Sequence, residues 1–300
     1  MRELRHFVAL AETLNFHRAA ERLHMAQPPL TAAIRKLETE LGAELFSRSR
    51  RGTELTDVGA AVLQHARLAL FHAEQFRRVA KAVSTGEAGS LRVGFVGSAT
   101  YALMPRVMPL FRERYPAIEL QLAESTTKRI LEKVESGELD VGLLRFPVSQ
   151  VTKVRITPVE RDVFVAALPA AHRLAKKREI NLKDLTDDPF VLYSAQDVPG
   201  LHSMAVLACQ QAGFLPRVQQ AAVQVQTVVS LVESGLGVAL VPSVAMRHSA
   251  RNVIFKSLRG PGSELEIGIA LAWQPDIETS AAKRLRATLE ELSAASSATG

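Results

Sequence analysis

The sequence predicts an α/β protein in two parts: an all-α N-terminal unit that runs into a long helix, then a larger region built from strands and helices. Three observations carry this. Apolar residues recur at three- and four-residue spacing through the first 85 or so positions. The texture changes after Gly86 and Gly89. Beyond them, short β-rich runs alternate with amphipathic stretches, the pattern of largely parallel sheets covered by helices. A chain of 300 residues has room for two or three domains, and 47% apolar with 23% charged residues suits globular units with real cores.

Leu4, Phe7, Val8, Ala11 and Leu14 form one apolar helical face. Asn15-Phe16 interrupts it, and a second helix carries Ala19, Ala20 and Leu23. A third opens at Gln27-Pro28-Pro29, where proline is tolerated because first-turn N–H groups have no helical partner. Its expected buried face is Leu30, Ile34, Leu37 and Leu41, and Gly42 stops it. The basic, glycine-punctuated stretch Phe46–Leu55 suits a short hairpin with a charged tip, since Arg48, Arg50 and Arg51 have no acid between Glu44 and Glu54. Thr56 can cap a helix reaching about Ser84, roughly 42 Å long. Val58, Val62, Ala69, Phe76, Val79 and Val83 fit a seam for pairing with another helix, interrupted by His65 and His72. A single helix packed on its own core fits the same residues.

Strands are expected at Leu91–Val96, Ile118–Leu122, Val141–Leu144, Val163–Leu168, Phe190–Tyr193, Val238–Val241 and Ile267–Trp273. Helices are expected at 102–115, 127–137, 200–213 and 225–234, and a frayed tail from Ser293 to Gly300. The lone Cys209 excludes an internal disulfide and lies among apolar residues, as a small buried hydrophobe would. No apolar run is long enough for a membrane span, and no uninterrupted hydrophobic segment follows the basic N-terminus, so the expected location is the cytoplasm, with no membrane partner.

Charge alone does not name a partner. Residues 1–90 hold 13 Lys/Arg against 10 Asp/Glu, and residues 91–300 hold 24 against 21, so the net +6 is spread evenly. No Walker loop, GxSxG elbow, HExxH or cysteine–histidine metal spacing is present, and the eight histidines are scattered. Neither an enzyme nor a bound cofactor is expected. A secreted solute-binding protein would account for the α/β part but not for residues 1–85.

The N-terminal residues carry a more specific signal. Phe7–Glu12, Asn15-Phe16, Ala19–Leu23 and Ala26–Thr31 lead into Ile34–Glu38, Leu41-Gly42, Leu45-Phe46, Arg48, Arg51 and Leu55–Gly59. Over residues 1–60, without gaps, this resembles the LysR-type transcriptional regulators. His17 departs from the family's usual Ser or Thr, a better cap for the second helix, and Thr31 replaces the more usual Ser. Phe95–Ser98, Leu103–Pro105, Phe111, Pro116, Gly137–Asp140 and Gly235–Pro242 resemble the family's effector domain, whose two subdomains are similar to periplasmic solute-binding proteins. Arg92–Ser98, Thr127-Lys128 and Arg145 are most similar to regulators of aromatic and muconate catabolism.

The resemblance implies a winged helix-turn-helix at 1–58, a linker or dimerisation helix at 59–88, and an effector-binding domain at 89–300. The last divides into subdomain I (89–161 and 267–300) and subdomain II (162–266). It also implies a homodimer or homotetramer on double-stranded DNA, contacts with RNA polymerase, and control by a small effector, plausibly an aromatic or muconate-type carboxylate. Gln27, Pro28, Thr31, Ala32 and Arg35 face away from the buried side of the third helix, toward the major groove. Gln27 matches adenine, Pro28 and Ala32 suit a thymine methyl, Thr31 suits a base or phosphate, and Arg35 suits a phosphate. Arg51 takes the wing position that enters a narrow minor groove, and Arg48 fits a phosphate or an inward role. Ser98 and Thr127 end strands and start helices, so they can hold an anion or merely cap. Gly200, Leu201 and His202 can supply the opposing wall, with His202 open to a capping role. Arg145 and Arg161 can each meet a carboxylate or form structural ion pairs. If Thr127 faces the cleft, Glu124 is expected on the opposite face of its strand.

Overall fold

The computed structural model describes residues 1–49, 52–85, 89–148, 152–247 and 251–297. They form two compact units, residues 1–87 and 88–300. No described helix is long and apolar enough to cross a membrane.

The first unit holds helices α1 (Arg2–Thr13), α2 (Phe16–Arg22) and α3 (Gln27–Leu41), a hairpin of β1 (Phe46–Ser49) and β2 (Gly52–Leu55), and the long α4 (Asp57–Thr85). Phe7, Leu10, Ala19, Ala20, Leu30, Ile34, Leu37, Leu45 and Phe46 make its core. Two expected core residues lie outside it. Leu14 is 44% and Leu41 55% exposed, because each sits at a helix end past the last turn that meets a neighbour. The cap of α2 is Asn15, whose Oδ1 accepts from the N–H groups of His17 and Arg18 at 3.0 and 3.1 Å. His17 therefore lies inside the first turn, and its departure from Ser or Thr removes no cap.

Thr56 caps α4 as expected, accepting from the Gly59 N–H at 3.0 Å. Gly59 is required by close approach: a Cβ there would stand 2.2 Å from the Leu45 carbonyl oxygen. Val62, Leu63 and Ala66 turn α4 toward the core, while Val58, His65, Ala69, His72 and Phe76 face outward. Val79 and Val83 belong to α4, but their side chains lie outside the described residues.

The second unit contains β3 (Ser90–Phe95), α5 (Leu103–Arg114), β4 (Glu119–Glu124), α6 (Thr127–Glu135), β5 (Val141–Phe146) and β6 (Arg155–Pro169). It continues with β7 (Glu179–Asn181), β8 (Pro189–Tyr193), α7 (Pro199–Gln211), β9 (Arg217–Ala222), α8 (Val225–Glu233), β10 (Ala239–Pro242), β11 (Val253–Arg259), β12 (Glu266–Trp273) and α9 (Ser280–Ser297). One sheet runs β4-β3-β5-β12-β6-β11-β7, with β10 also on β6, and a second pairs β8 with β9. Its helices cover two separate cores. One packs Leu91, Val93, Phe111, Ile130, Leu143, Ile269 and Leu285; the other packs Phe164, Leu168, Phe190, Val228, Leu240 and Ile267. This is the two-part α/β architecture that the sequence predicts.

β6 is fifteen residues long, far beyond the expected Val163–Leu168, because it passes through both cores. At the crossing its side chains are polar and partly exposed, so no apolar pattern marks the strand there. β12 lies against it, and a Cβ on Gly268 would stand 2.0 Å from the Glu160 carbonyl oxygen. The chain tail is helical through Ser297 rather than frayed from Ser293, whose hydroxyl donates to the Val159 carbonyl at 2.8 Å. β7, β9 and β11 were not among the expected strands.

Candidate functional site

In the first unit, α3 presents Gln27, Pro28, Ala32 and Arg35 to solvent, with Thr31 half-buried beside them. They share the face opposite Leu30, Ile34 and Leu37, as the helical period requires. The α3 N-cap, Ala26, provides no side-chain bond, and since Pro28 and Pro29 have no N–H, only Gln27 and Leu30 carry one in the first turn. Glu38 ties the hairpin to this helix: its Oε1 accepts from the N–H groups of Leu45 and Phe46 at 2.9 and 3.1 Å. In the hairpin Arg48 pairs with Thr53 through the backbone. The Arg48 side chain, and all of Arg50 and Arg51, lie outside the described residues.

The second unit has a hollow between its cores, in two lobes. One, of about 20 Å3, is walled by Val96, Val198, Leu201, Val223 and Val225 and carries Ser98, Thr127, Gln224 and Arg145. The other, of about 10 Å3, shares Thr127, Arg145, Val198 and Leu201 and adds Lys128 and Gly200, so a ligand larger than a water enters only as the two cores part. Ser98 is buried within a short 3-10 turn, Gly97–Tyr101, that precedes α5. Thr126, not Thr127, caps α6, accepting from the Arg129 N–H. Thr127 Oγ1 instead accepts from the Arg145 backbone N–H at 3.1 Å, which fixes the end of β5 against the start of α6.

Arg145 is the unusual member. It is 4% exposed, and none of its three guanidinium nitrogens has a hydrogen-bond partner among the described residues. Burial lowers its pKa, opposed by the fields of Tyr193, Asp162, Glu160 and Tyr101. The Tyr193 hydroxyl is likewise buried without a partner, and burial raises its pKa. Unpaired buried ions are strongly disfavoured unless a counter-charge can reach them.

The other sequence candidates divide. Gly200 and Leu201 do line the hollow, but His202 is absent from both lobes; its Nδ1 lies 2.8 Å from the Tyr193 carbonyl oxygen. Arg161 is a surface ion pair, 2.6 Å from Glu266. Arg92 is structural too, bidentate to Asp140. Glu124 differs from expectation: a Cβ placed on Gly97, next to Ser98, would meet Glu124 Oε1 at 2.6 Å and Gln224 Oε1 at 3.2 Å. It therefore lies beside the site. Gln224 was missed, although it immediately precedes α8 and so obeys the same strand-end, helix-start rule that picked out Ser98.

A larger groove, about 640 Å3, lies over the β6 crossing. Apart from Arg247, its charges are matched by described residues. Arg106 pairs with Glu160 and Arg161 with Glu266, and Asp162 accepts from the Ser243 hydroxyl at 2.5 Å. Size alone does not make it the better ligand site. Cys209 is buried, and its thiol is pushed up to about 12, so it stays protonated at neutral pH. Among the described residues no cluster of His, Cys, Asp and Glu could hold a metal ion.

Residues 1–60 match the bacterial regulatory helix-turn-helix model of the lysR family, and residues 84–294 match the LysR substrate binding domain. The chain is 37% identical to the HTH-type transcriptional regulator AlsR of Bacillus subtilis, over 86% of this chain and 85% of that protein. It is 35% identical to the Hca operon transcriptional activator HcaR of Escherichia coli, over 91% of each. Among solved structures, full-length CbnR complexed with its target DNA superposes with a TM-score of 0.70 at 24% identity, covering 97% of this chain and 99% of that one.

Proposed function

Since this chain belongs to the LysR family, and so is a DNA-binding transcriptional regulator with an effector-binding C-terminal domain, we propose that its effector is a small organic carboxylate held between the two cores by Ser98, Thr127 and Arg145. The observation that carries this reading is the buried Arg145 guanidinium, which lines both lobes and has no hydrogen-bond partner among the described residues. A carboxylate entering there gains charge-assisted hydrogen bonds from an ion already stripped of water. Ser98 adds a hydroxyl, Thr127 holds the Arg145 backbone in place, and Gly200 and Leu201 form the wall from the second core. An aromatic acid or a muconate is the class favoured. Such a ligand shifts the protein between two arrangements only by binding one of them better.

The same reading assigns residues 1–58 to the winged helix-turn-helix, 59–88 to the linker helix and 89–300 to the effector domain, divided as in the sequence analysis. On DNA, α3 lies in the major groove with Gln27, Pro28, Thr31 and Ala32 against bases and Arg35 on a phosphate, and Arg48, Arg50 and Arg51 make the wing. Pairing of α4 between subunits sets two such helices on a dyad-symmetric operator, as a homodimer or homotetramer whose rearrangement alters contact with RNA polymerase. Support for pairing comes from Phe76, 76% exposed on the outward face of α4.

The test is calorimetric titration of benzoate and of cis,cis-muconate into the full chain, its Ser98→Ala form and its Arg145→Met form, beside an operator-shift assay. Expected are loss of binding in Arg145→Met, weaker binding in Ser98→Ala, and effector-free operator binding in all three. Equal binding of these acids by all three proteins overturns the carboxylate reading.

A further inference from the structure

The cation side of the hollow has a counterpart of opposite character. Glu124 ends β4 in the first core, and Gln224 caps α8 in the second. Their side-chain oxygens converge over Gly97: its missing Cβ would stand 2.6 Å from Glu124 Oε1 and 3.2 Å from Gln224 Oε1. No side chain at Gly97 separates the two, and no described residue donates to either oxygen. The point of convergence adjoins Ser98, and Gln224 itself lines the lobe that contains Arg145. Tyr101, in the same turn, has its pKa raised chiefly by burial, and it feels both ends as well: the Arg145 field lowers it and the Glu124 field raises it.

Two acceptor oxygens facing one point, one of them a carboxylate that can only accept, form a receptor for a donor. We infer that the effector carries a hydrogen-bond donor, a hydroxyl or an amine, in addition to its carboxylate, and that Glu124 and Gln224 read it. The inference rests on the carboxylate reading above and narrows it. The carboxylate lies on Arg145 and Ser98, and the donor end lies over Gly97. Because Glu124 and Gln224 belong to different cores, a ligand joining them also bridges the cleft, so the group that is recognised is the group that draws the cores together. Glu124 is exposed in the free protein, so a ligand that covers it without the donor displaces its water and returns nothing, the situation in which hydrogen-bonding sites reject an analogue most strongly.

The experiment titrates two matched series into the full chain: propanoate, lactate and alanine, then benzoate, salicylate and anthranilate. In at least one series the donor-bearing acids should bind at least roughly tenfold more tightly than the plain acid. In Glu124→Ala and in Gln224→Leu that ratio should fall toward unity. Glu124→Gln separates the two donors: it keeps an acceptor but drops the charge, so lactate retains its advantage over propanoate and alanine does not.

Arg145→Met serves as the control for the parent reading. Loss of every acid in Arg145→Met, with no donor preference in the parent chain, overturns the donor inference and leaves the carboxylate reading standing. That outcome would mean the Gln224 amide turns its NH2 to Glu124 and satisfies it directly. A preference unchanged in Glu124→Ala and Gln224→Leu also overturns the inference. Failure of all six acids to bind the parent chain, or binding unaffected by Arg145→Met, overturns both.

Discussion

Replacing Arg145 with Met should make the effector-free protein more stable and weaken effector binding. The side chain is 4% exposed and its three nitrogens lack partners. The effective penalty for burying an ion is several kcal/mol, only partly offset here by the fields of Tyr193, Asp162, Glu160 and Tyr101. Methionine fills much of the same volume without the charge, and such exchanges typically stabilise by about 1–4 kcal/mol. For a unit of this size, a gain near 2 kcal/mol raises Tm by about 4–8 °C. The effector loses a charge-assisted hydrogen bond of about 1.5–3 kcal/mol, roughly a tenfold to hundredfold loss in affinity. The assay is thermal melting of the full chain, parent and variant, with and without benzoate at several concentrations. The parent should melt later as benzoate rises, by mass action on the folded state, and the variant should need roughly ten to a hundred times more benzoate for the same shift. A variant less stable than the parent by more than about 1 kcal/mol would refute the reasoning, because Arg145 would then be a structural ion and not a waiting one.

Phe76→Glu should leave each subunit folded, since the ring is 76% exposed within the chain, but lower the mass seen by light scattering and abolish tight operator binding. Unchanged mass would show that α4 pairs through another face. Gly59→Ala should lower stability by about 1–3 kcal/mol in chemical denaturation, because its Cβ would stand 2.2 Å from the Leu45 carbonyl and α4 must move away; a neutral effect would contradict that contact. His6 is buried with Nδ1 unpartnered, and burial, helped by Arg2, lowers its pKa below 6.5. The neutral form is favoured in the folded state, so the stability linked to His6 is present above pH 6.5 and is lost as pH falls through the lowered folded value. Melting between about pH 7.5 and 5 should therefore fall less steeply in His6→Gln than in the parent chain; parallel curves would place the titration elsewhere.

Local rules decided the helices of the first unit. The spacing of Phe7, Leu30, Ile34 and Leu37, the prolines at the start of α3, Gly42 at its end and Thr56 before α4 all act within a few residues. The apolar strands β3, β5, β8, β10 and β12 were legible for the same reason, being buried runs bounded by breakers. The strands that were missed had no such pattern. β9 is almost wholly exposed, and β7 is three residues long. β6 outran its expected length because only its second half is apolar. Capping was read one or two residues off at Asn15 and Thr126, where neighbouring residues offer equally good side chains and backbone geometry chooses between them.

The chemistry of the cavity was legible by residue type and not by state. Ser98, Thr127, Gly200 and Leu201 could be picked out because strand ends and helix starts gather at the edge of an α/β sheet. Arg145 and Arg161 look alike in sequence: each is an arginine in or at the end of a strand. Only the fold separates them, since Glu266, 105 residues further along, reaches Arg161, while no described residue hydrogen-bonds the side chain of Arg145. Glu124 and Gln224 are a hundred positions apart on different cores, and their convergence over Gly97 follows from the packing of those cores. Propensity, capping and periodicity act over one or two helical turns, so the sequence by itself determined the helices, the apolar strands and the family. Burial, pairing and the field at a charge sum over neighbours from anywhere in the chain, so only the tertiary structure decided which arginine is left without a partner.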